Sequence, residues 1–253
     1  MSKKALLIGI NYFNTSNELS GCINDVNNVK NYLSTIGYND FTMLIDSKDD
    51  PRHQYPNCPT KANIVKCIKS LVKSLRRGDS LFVGYSGHGS YTRDRNNEEK
   101  DGRDECICPV DDTTIIDDEL IALFKGIALG AKLRVIFDSC FSGSALDLPF
   151  RFQDQMVVEN FNYINRDIIM ISGCRDDQTS ADAYIENKYS GALTWAFLQT
   201  LDGFKQSLPN KRNWTWQDLV TIMRYKLRSN SYSQVPQISF AVKYHINRIV
   251  DII

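Results

Sequence analysis

"SLFVGYSGHGS", residues 80–90, starts as a nearly unbroken apolar run and ends in a histidine between two glycines. Such a run reads as a strand buried on both faces, the kind found in parallel sheets covered by helices. A second stretch repeats the design. "LRVIFDSCFSGS", residues 133–144, is an apolar run that breaks into a polar turn carrying Cys140. In open parallel sheets, functional residues gather at the carboxyl ends of the strands. If these two strands are neighbours, His88 and Cys140 share one rim.

Working outward, "ALLIGI" (5–10) reads as another buried strand. The helix after it, in "CINDVNNVKNYLSTIG" (22–37), carries Ile23, Val26, Val29 and Leu33 at helical spacing and is stopped by Gly37. "FTMLID" (41–46) is a strand, and the Pro-rich 47–60 a loop. A helix follows over 60–79, capped by Thr60, with Ile64, Ile68, Leu71 and Leu75 on its apolar face and Gly78 at its end. The charged stretch 90–105 reads as a loop. "DDELIALFKGIA" (117–128) reads as a helix with acids in its first turn, where the dipole favours them.

"DIIMISG" (167–173) is a further strand, and 192–201 and 215–227 are helices, the second with a Thr215–Asp218 capping box. "QISFAV" (237–242) is the last strand. Pro236 before it points to a sheet edge or a strand start. Strands alternating with helices predict an α/β fold, with a central, mostly parallel β-sheet flanked by helices on both faces.

Of 253 residues, 42% are hydrophobic and 24% charged, which is ordinary globular composition. Thirty basic residues balance thirty acidic ones, so no global field favours nucleic acid or an anionic membrane. The apolar start is short and broken by Gly9 and Asn11, which excludes a membrane span there. Seven cysteines without paired spacing suggest reduced thiols, and an intracellular, cytoplasmic setting is expected.

His88 and Cys140 make chemical sense together. A thiolate is a strong nucleophile, and an adjacent imidazole lowers the thiol pKa and moves protons. The amides of the glycines beside His88, and of Cys140 itself, are candidate oxyanion donors. Blander readings exist. A lone cysteine after a strand is ordinarily a small buried apolar residue, and a Gly-flanked histidine is ordinarily turn chemistry. "GYSGHG" also loosely suggests a phosphate loop, but it lacks both GxGxxG spacing and a Walker lysine.

A wider set of motifs occurs in order: "LIGINYF", "LSGCINDVNNVKNYL", "YSGHGS", "PVDD", "DSCFSGSALD", "SGCRDDQTSADA" and "PQIS". Together they resemble the metacaspase catalytic core, a branch of the caspase-like cysteine peptidases. The resemblance implies a caspase-like fold and a catalytic dyad of His88 and Cys140. It implies an endopeptidase that cuts protein or peptide substrates after Arg or Lys, with Asp25, Asp138, Cys22 and Ser86 lining the substrate pocket. Two carboxylates in a confined pocket suit a guanidinium or ammonium. Asp138 lies two residues before Cys140, so the two side chains are expected on one side of the strand. The plain alternative for Asp25 is an early-helix acid placed by the dipole.

The resemblance further implies activation by Ca2+ held by Asp104, Asp117, Asp118 and Asp147. Hard oxygen donors suit that ion, and the alternative is a solvated acidic face. The layout resembles a type I core without a prodomain, acting as a monomer. It forms a single domain over 1–253: a large-subunit-like part (1–147), a short connection (148–166) and a small-subunit-like part (167–253). Phe141 stands where many relatives carry histidine. Basic residues near 151 and 166 are candidate self-processing points. The rival of a different class is a catalytically weak caspase-like scaffold.

Overall fold

The computed structural model describes residues 1–50, 52–93, 102–140, 146, 148–153, 156–159, 164–173, 182–185, 188–207, 213–242 and 246–252. An eight-stranded sheet runs through the molecule. Its strands are β1 (Lys3–Gly9), β2 (Asp40–Ile45), β3 (Ser80–Ser86), β7 (Lys132–Asp138), β8 (Phe150–Gln153), β9 (Met156–Glu159), β10 (Asp167–Ser172) and β13 (Gln237–Phe240). Their order is β2-β1-β3-β7-β10-β13-β8-β9. The five strands from β2 to β10 are parallel, and β13, β8 and β9 continue antiparallel.

Alternate residues of each central strand feed two cores, as the period of two requires. Leu6, Ile8, Val83 and Val135 pack on one face against helices α2 (Lys61–Ser74) and α3 (Asp117–Phe124), through Ile64, Ile68, Leu120 and Phe124. Leu7, Phe82 and Ile136 pack on the other against α1 (Cys22–Thr35), α4 (Ala192–Ser207) and α5 (Trp216–Ser229), through Val26, Leu33, Phe197 and Leu219. Both faces are covered, which explains why the central strands read as continuous apolar runs.

Thr60 accepts from the Asn63 amide at 3.3 Å. The Thr215–Asp218 capping box is closed in both directions. Gly37 has φ +90, the left-handed turn that ends a helix. Three expectations need correction. Helix α2 stops at Ser74, ahead of Gly78, because Leu75 turns extended and enters the core at 5% exposure. The charged stretch 90–105 contributes strands: β4 (Gly89–Arg93) and β5 (Arg103–Ile107) pair antiparallel, with β6 (Ile115–Ile116) beside β5. Of the two places expected for Pro236, the strand start holds: β13 begins at Gln237 and lies between β10 and β8. The connection 148–166 includes β8 and β9, and Arg151 on β8 sits opposite Ser239 on one side and Val158 on the other. A last hairpin joins β11 (Asp182–Ile185) to β12 (Lys188–Gly191), which leads directly into α4.

Candidate active site

Strands β3 and β7 are parallel neighbours, with Ser86 opposite Asp138 in the register. His88 and Cys140 each lie two residues beyond that pair, so the ladder delivers both to one rim. The backbones stay close past the strand ends. The Gly87 amide donates to the Asp138 carbonyl at 3.3 Å. A Cβ on Gly89 would collide with the carbonyl of Cys140. Only glycine allows this approach. The Gly87 amide is thus occupied by the extended ladder, which removes it from the candidate oxyanion donors.

His88 is held on every side. Its Nε2 lies 2.7 Å from the Asn17 carbonyl, which can only accept, so Nε2 carries a proton. Its amide donates to the Tyr12 hydroxyl at 2.8 Å, and its carbonyl accepts from the Tyr85 hydroxyl at 2.7 Å and the Cys108 amide at 3.1 Å. The Tyr12 ring lies against the imidazole, centroids 4.6 Å apart. His88 and Cys140 are both half-buried, reachable from solvent at the rim.

The pocket residues converge beside them. Asp25, in the first turn of α1, is 1% exposed. It accepts from Ser86 Oγ at 2.7 Å, from Ser190 Oγ at 2.5 Å, and from the Gly191 amide at 3.0 Å on each oxygen. This is far more than an early-helix acid placed by the dipole. Asp138 is 5% exposed, and one of its oxygens accepts from the Thr194 amide and hydroxyl, each at 2.8 Å. The two carboxylates flank Gly191, where a Cβ would collide with Asp138 and come within 2.9 Å of Asp25. Burial first, and then the nearby Asp138 charge, push the Asp25 carboxyl up to about 8. Ser86 and Cys22 are buried close by, Cys22 as the first residue of α1.

Ser190, Gly191 and Thr194 were absent from the sequence-based candidates. They lie far along the chain from Asp25 and Asp138, so no spacing links them to either acid. Tyr12 and Asn17 were missed as well, although Tyr12 stands inside the "LIGINYF" motif.

Among the acids assigned to calcium, Asp104 and Asp117 are buried at 4% and 2% exposure, and Asp118 is half-buried. The β5–β6 register pairs Cys106 with Ile116, after which the chain enters α3 at Asp117. Asp117 accepts from the Glu105 amide at 2.9 Å and the Asp118 amide at 2.7 Å. The donor set is all oxygen and suits a hard divalent cation. Among the described residues, however, no three His, Cys, Asp or Glu side chains group closely enough to hold an ion. Asp147 and Phe141 lie outside the described residues, as does most of the "SGCRDDQTSADA" motif.

The model of the metacaspase peptidase C14 domain matches residues 3–149. The chain belongs to the metacaspase family. Metacaspase-1 of Meyerozyma guilliermondii is 37% identical over 94% of this chain and 69% of its own length. Metacaspase-1 of Ajellomyces capsulatus is 36% identical over 94% of this chain and 79% of its own. A Geobacter sulfurreducens protein of known crystal structure superposes with a TM-score of 0.69, covering 98% of both chains at 24% identity, and shares the fold. This metacaspase is therefore a cysteine-type peptidase with a caspase-like α/β fold, acting on protein substrates. No helix among its described residues is long and apolar enough to cross a membrane.

Proposed function

We propose that this metacaspase is a calcium-promoted endopeptidase that cleaves after Arg or Lys, with Cys140 as nucleophile and His88 as its proton partner. One observation carries the reading: the β3–β7 register brings His88 and Cys140 to the same rim as two buried aspartates. With Nε2–H directed to Asn17, Nδ1 is left as the working nitrogen. The Cys140 sulfur attacks the scissile carbonyl carbon and its proton passes to His88. The oxyanion forms where the backbones of Gly89 and Cys140 meet, and their amides are the candidate donors. His88 then protonates the leaving amine as the carbon–nitrogen bond breaks. Water, deprotonated by His88, hydrolyses the thioester and frees Cys140.

Asp25 and Asp138 supply the preference for a cationic side chain. Three neutral donors surround the Asp25 carboxyl: Ser86 Oγ, Ser190 Oγ and the Gly191 amide shared by both oxygens. A guanidinium entering here displaces the proton that Asp25 keeps up to about 8 and supplies charged donors, which bond carboxylates about twice as strongly. Asp104, Asp117, Asp118 and Asp147 would hold calcium, whose charge would neutralise the buried acids at the base of the β4–β5–β6 sheet. A monomeric enzyme in a single domain completes the proposal.

A fluorogenic peptide with Arg before the leaving group tests it. Turnover is expected for Arg and Lys, negligible turnover for Asp, and none for Cys140→Ala. Retained cleavage by Cys140→Ala excludes the mechanism. Chelation is expected to suppress turnover; equal rates in chelator for the parent and Asp118→Ala remove calcium from the account.

A further inference from the structure

We infer that Tyr12 is a positioning residue for the catalytic base, fixing His88 through its hydroxyl and its ring, with Asp46 as its buttress. The inference rests on the His88–Cys140 reading above. Tyr12 has φ 53, a left-handed conformation that an aromatic residue adopts only when its surroundings compel it. The compelling contacts are visible. Asp46, 4% exposed just past β2, accepts the Asn11 amide at 2.8 Å and the Phe13 amide at 3.3 Å, one on each side of Tyr12. The loop is further tied by the Leu19 amide to the Asn11 carbonyl at 2.8 Å and the Ile23 amide to the Asn11 side chain at 3.3 Å.

This strained, clamped turn delivers one hydroxyl to several partners. Tyr12 accepts from the His88 amide at 2.8 Å, donates to the Cys108 carbonyl at 2.6 Å and touches the Tyr85 hydroxyl at 3.1 Å. Tyr85 completes the arrangement from below by donating to the His88 carbonyl. Both backbone polar groups of His88 are therefore bound to tyrosine hydroxyls, leaving its side chain to the chemistry. Burial pushes both hydroxyls far above their ordinary pKa, so they stay protonated wherever the enzyme works. The same pair explains a glycine: a Cβ on Gly87 would sit 2.7 Å from the Tyr85 oxygen and 2.9 Å from that of Tyr12. Meanwhile the Tyr12 ring packs against the imidazole at a tilt of 41°, which limits the ring's freedom to turn.

The hydroxyl and the ring make separable predictions. Steady-state kinetics on an Arg peptide across about pH 5.5–9 would compare the parent with Tyr12→Phe, Tyr12→Leu and Tyr38→Phe. Tyr38 is a buried control at 3% exposure, packed on Phe82. For Tyr12→Phe, kcat should fall about 30-fold, a part of the 10²–10⁴ that a placed general base supplies. KM should stay within about twofold, because the ring remains. For Tyr12→Leu, kcat should fall further, because the imidazole also loses the ring packed against it. Tyr38→Phe should keep parent kcat even if its Tm falls. A parent-like kcat in Tyr12→Phe overturns the inference. So does a kcat loss that tracks Tm equally in Tyr12→Phe and Tyr38→Phe, with Tyr12→Leu no slower than Tyr12→Phe.

Should Tyr12→Phe fail to fold, Tyr85→Phe removes the bond to the His88 carbonyl, along with that hydroxyl's contacts to Tyr12 and Cys108. Alkylation of Cys140 by iodoacetamide should then slow about three- to tenfold, a fraction of the same general-base factor; an unchanged rate overturns the inference. Activity surviving in His88→Ala would remove the underlying reading instead. A dead His88→Ala beside a parent-like Tyr12→Phe removes this inference alone.

Discussion

At the amino end of β7, Arg134 is 3% exposed and its guanidinium forks onto Asp251 at 2.9 and 2.7 Å, with Asp167 at 2.8 Å. At the carboxyl end of the same strand, Asp138 bonds Thr194, while the neighbouring Asp25 is held by two serines and a backbone amide. Four residues apart, one strand thus carries buried charge in two opposite arrangements. At the floor, burial alone would raise the Asp251 carboxyl, but its bonds to Arg134 and Lys132 outweigh this and hold it at about 2. At the rim, burial and a like charge push Asp25 up to about 8. The floor is electrostatically finished and ties the C-terminal segment to the sheet. The rim keeps Asp25 among neutral donors, which leaves a cationic side chain something to gain on arrival.

Mutations at the two ends should separate stability from specificity. Arg134→Met should have the largest effect. Stranding Asp251 and Asp167 costs about 3–5 kcal/mol. A thermal melt should fall by about 10 °C, while the folded fraction keeps its kcat within about twofold. A catalytic loss in the folded fraction would show that the floor also shapes the site. The floor should further weaken in acid: Asp251's contribution is complete above its ordinary 3.8 and disappears as pH drops toward about 2.

Next in size is Asp138→Asn. Removing one partner of a buried charge pair costs about 2–5 kcal/mol, so kcat/KM for Arg peptides should drop about 10²–10³-fold. Peptides with a neutral residue before the cut should change little. Equal losses on both substrates would assign Asp138 to the fold rather than to specificity.

Asp25→Asn should have the smallest effect on the fold, and the opposite sign. The folded protein keeps the Asp25 proton between the ordinary 3.8 and about 8, whereas the unfolded chain releases it. Stability is therefore fully present below 3.8 and is lost as pH rises toward 8. Asparagine cancels that loss, so the variant should melt higher than the parent at pH 8 and nearly with it at pH 4. It should cleave Arg peptides more slowly at both.

The parts of the fold that announce themselves are the strands buried on two faces. Their apolar runs mark β1, β3, β7 and β10 at close to the observed limits. The short strands β4, β8 and β12 escaped, because a half-exposed strand of four or five residues such as "GSYTR" or "FRFQ" has no apolar run to show. The dyad candidates were legible because strand ends are local features, and adjacency of β3 and β7 was the one missing fact. The donors to Asp25 and Asp138 were not, since Ser190 stands 165 residues from Asp25 and Thr194 56 from Asp138. Bonds of that sequence separation are created by topology and leave no spacing to read.

Arg151 illustrates what such hidden pairing does to fate. A peptidase cleft must thread several residues of unpaired, extended chain, yet this arginine is stitched between Ser239 and Val158. Any scissor reaching it has first to peel two strands off the sheet. Were it cut all the same, the halves would remain interlocked, running as two bands on a denaturing gel but as one particle on a sizing column.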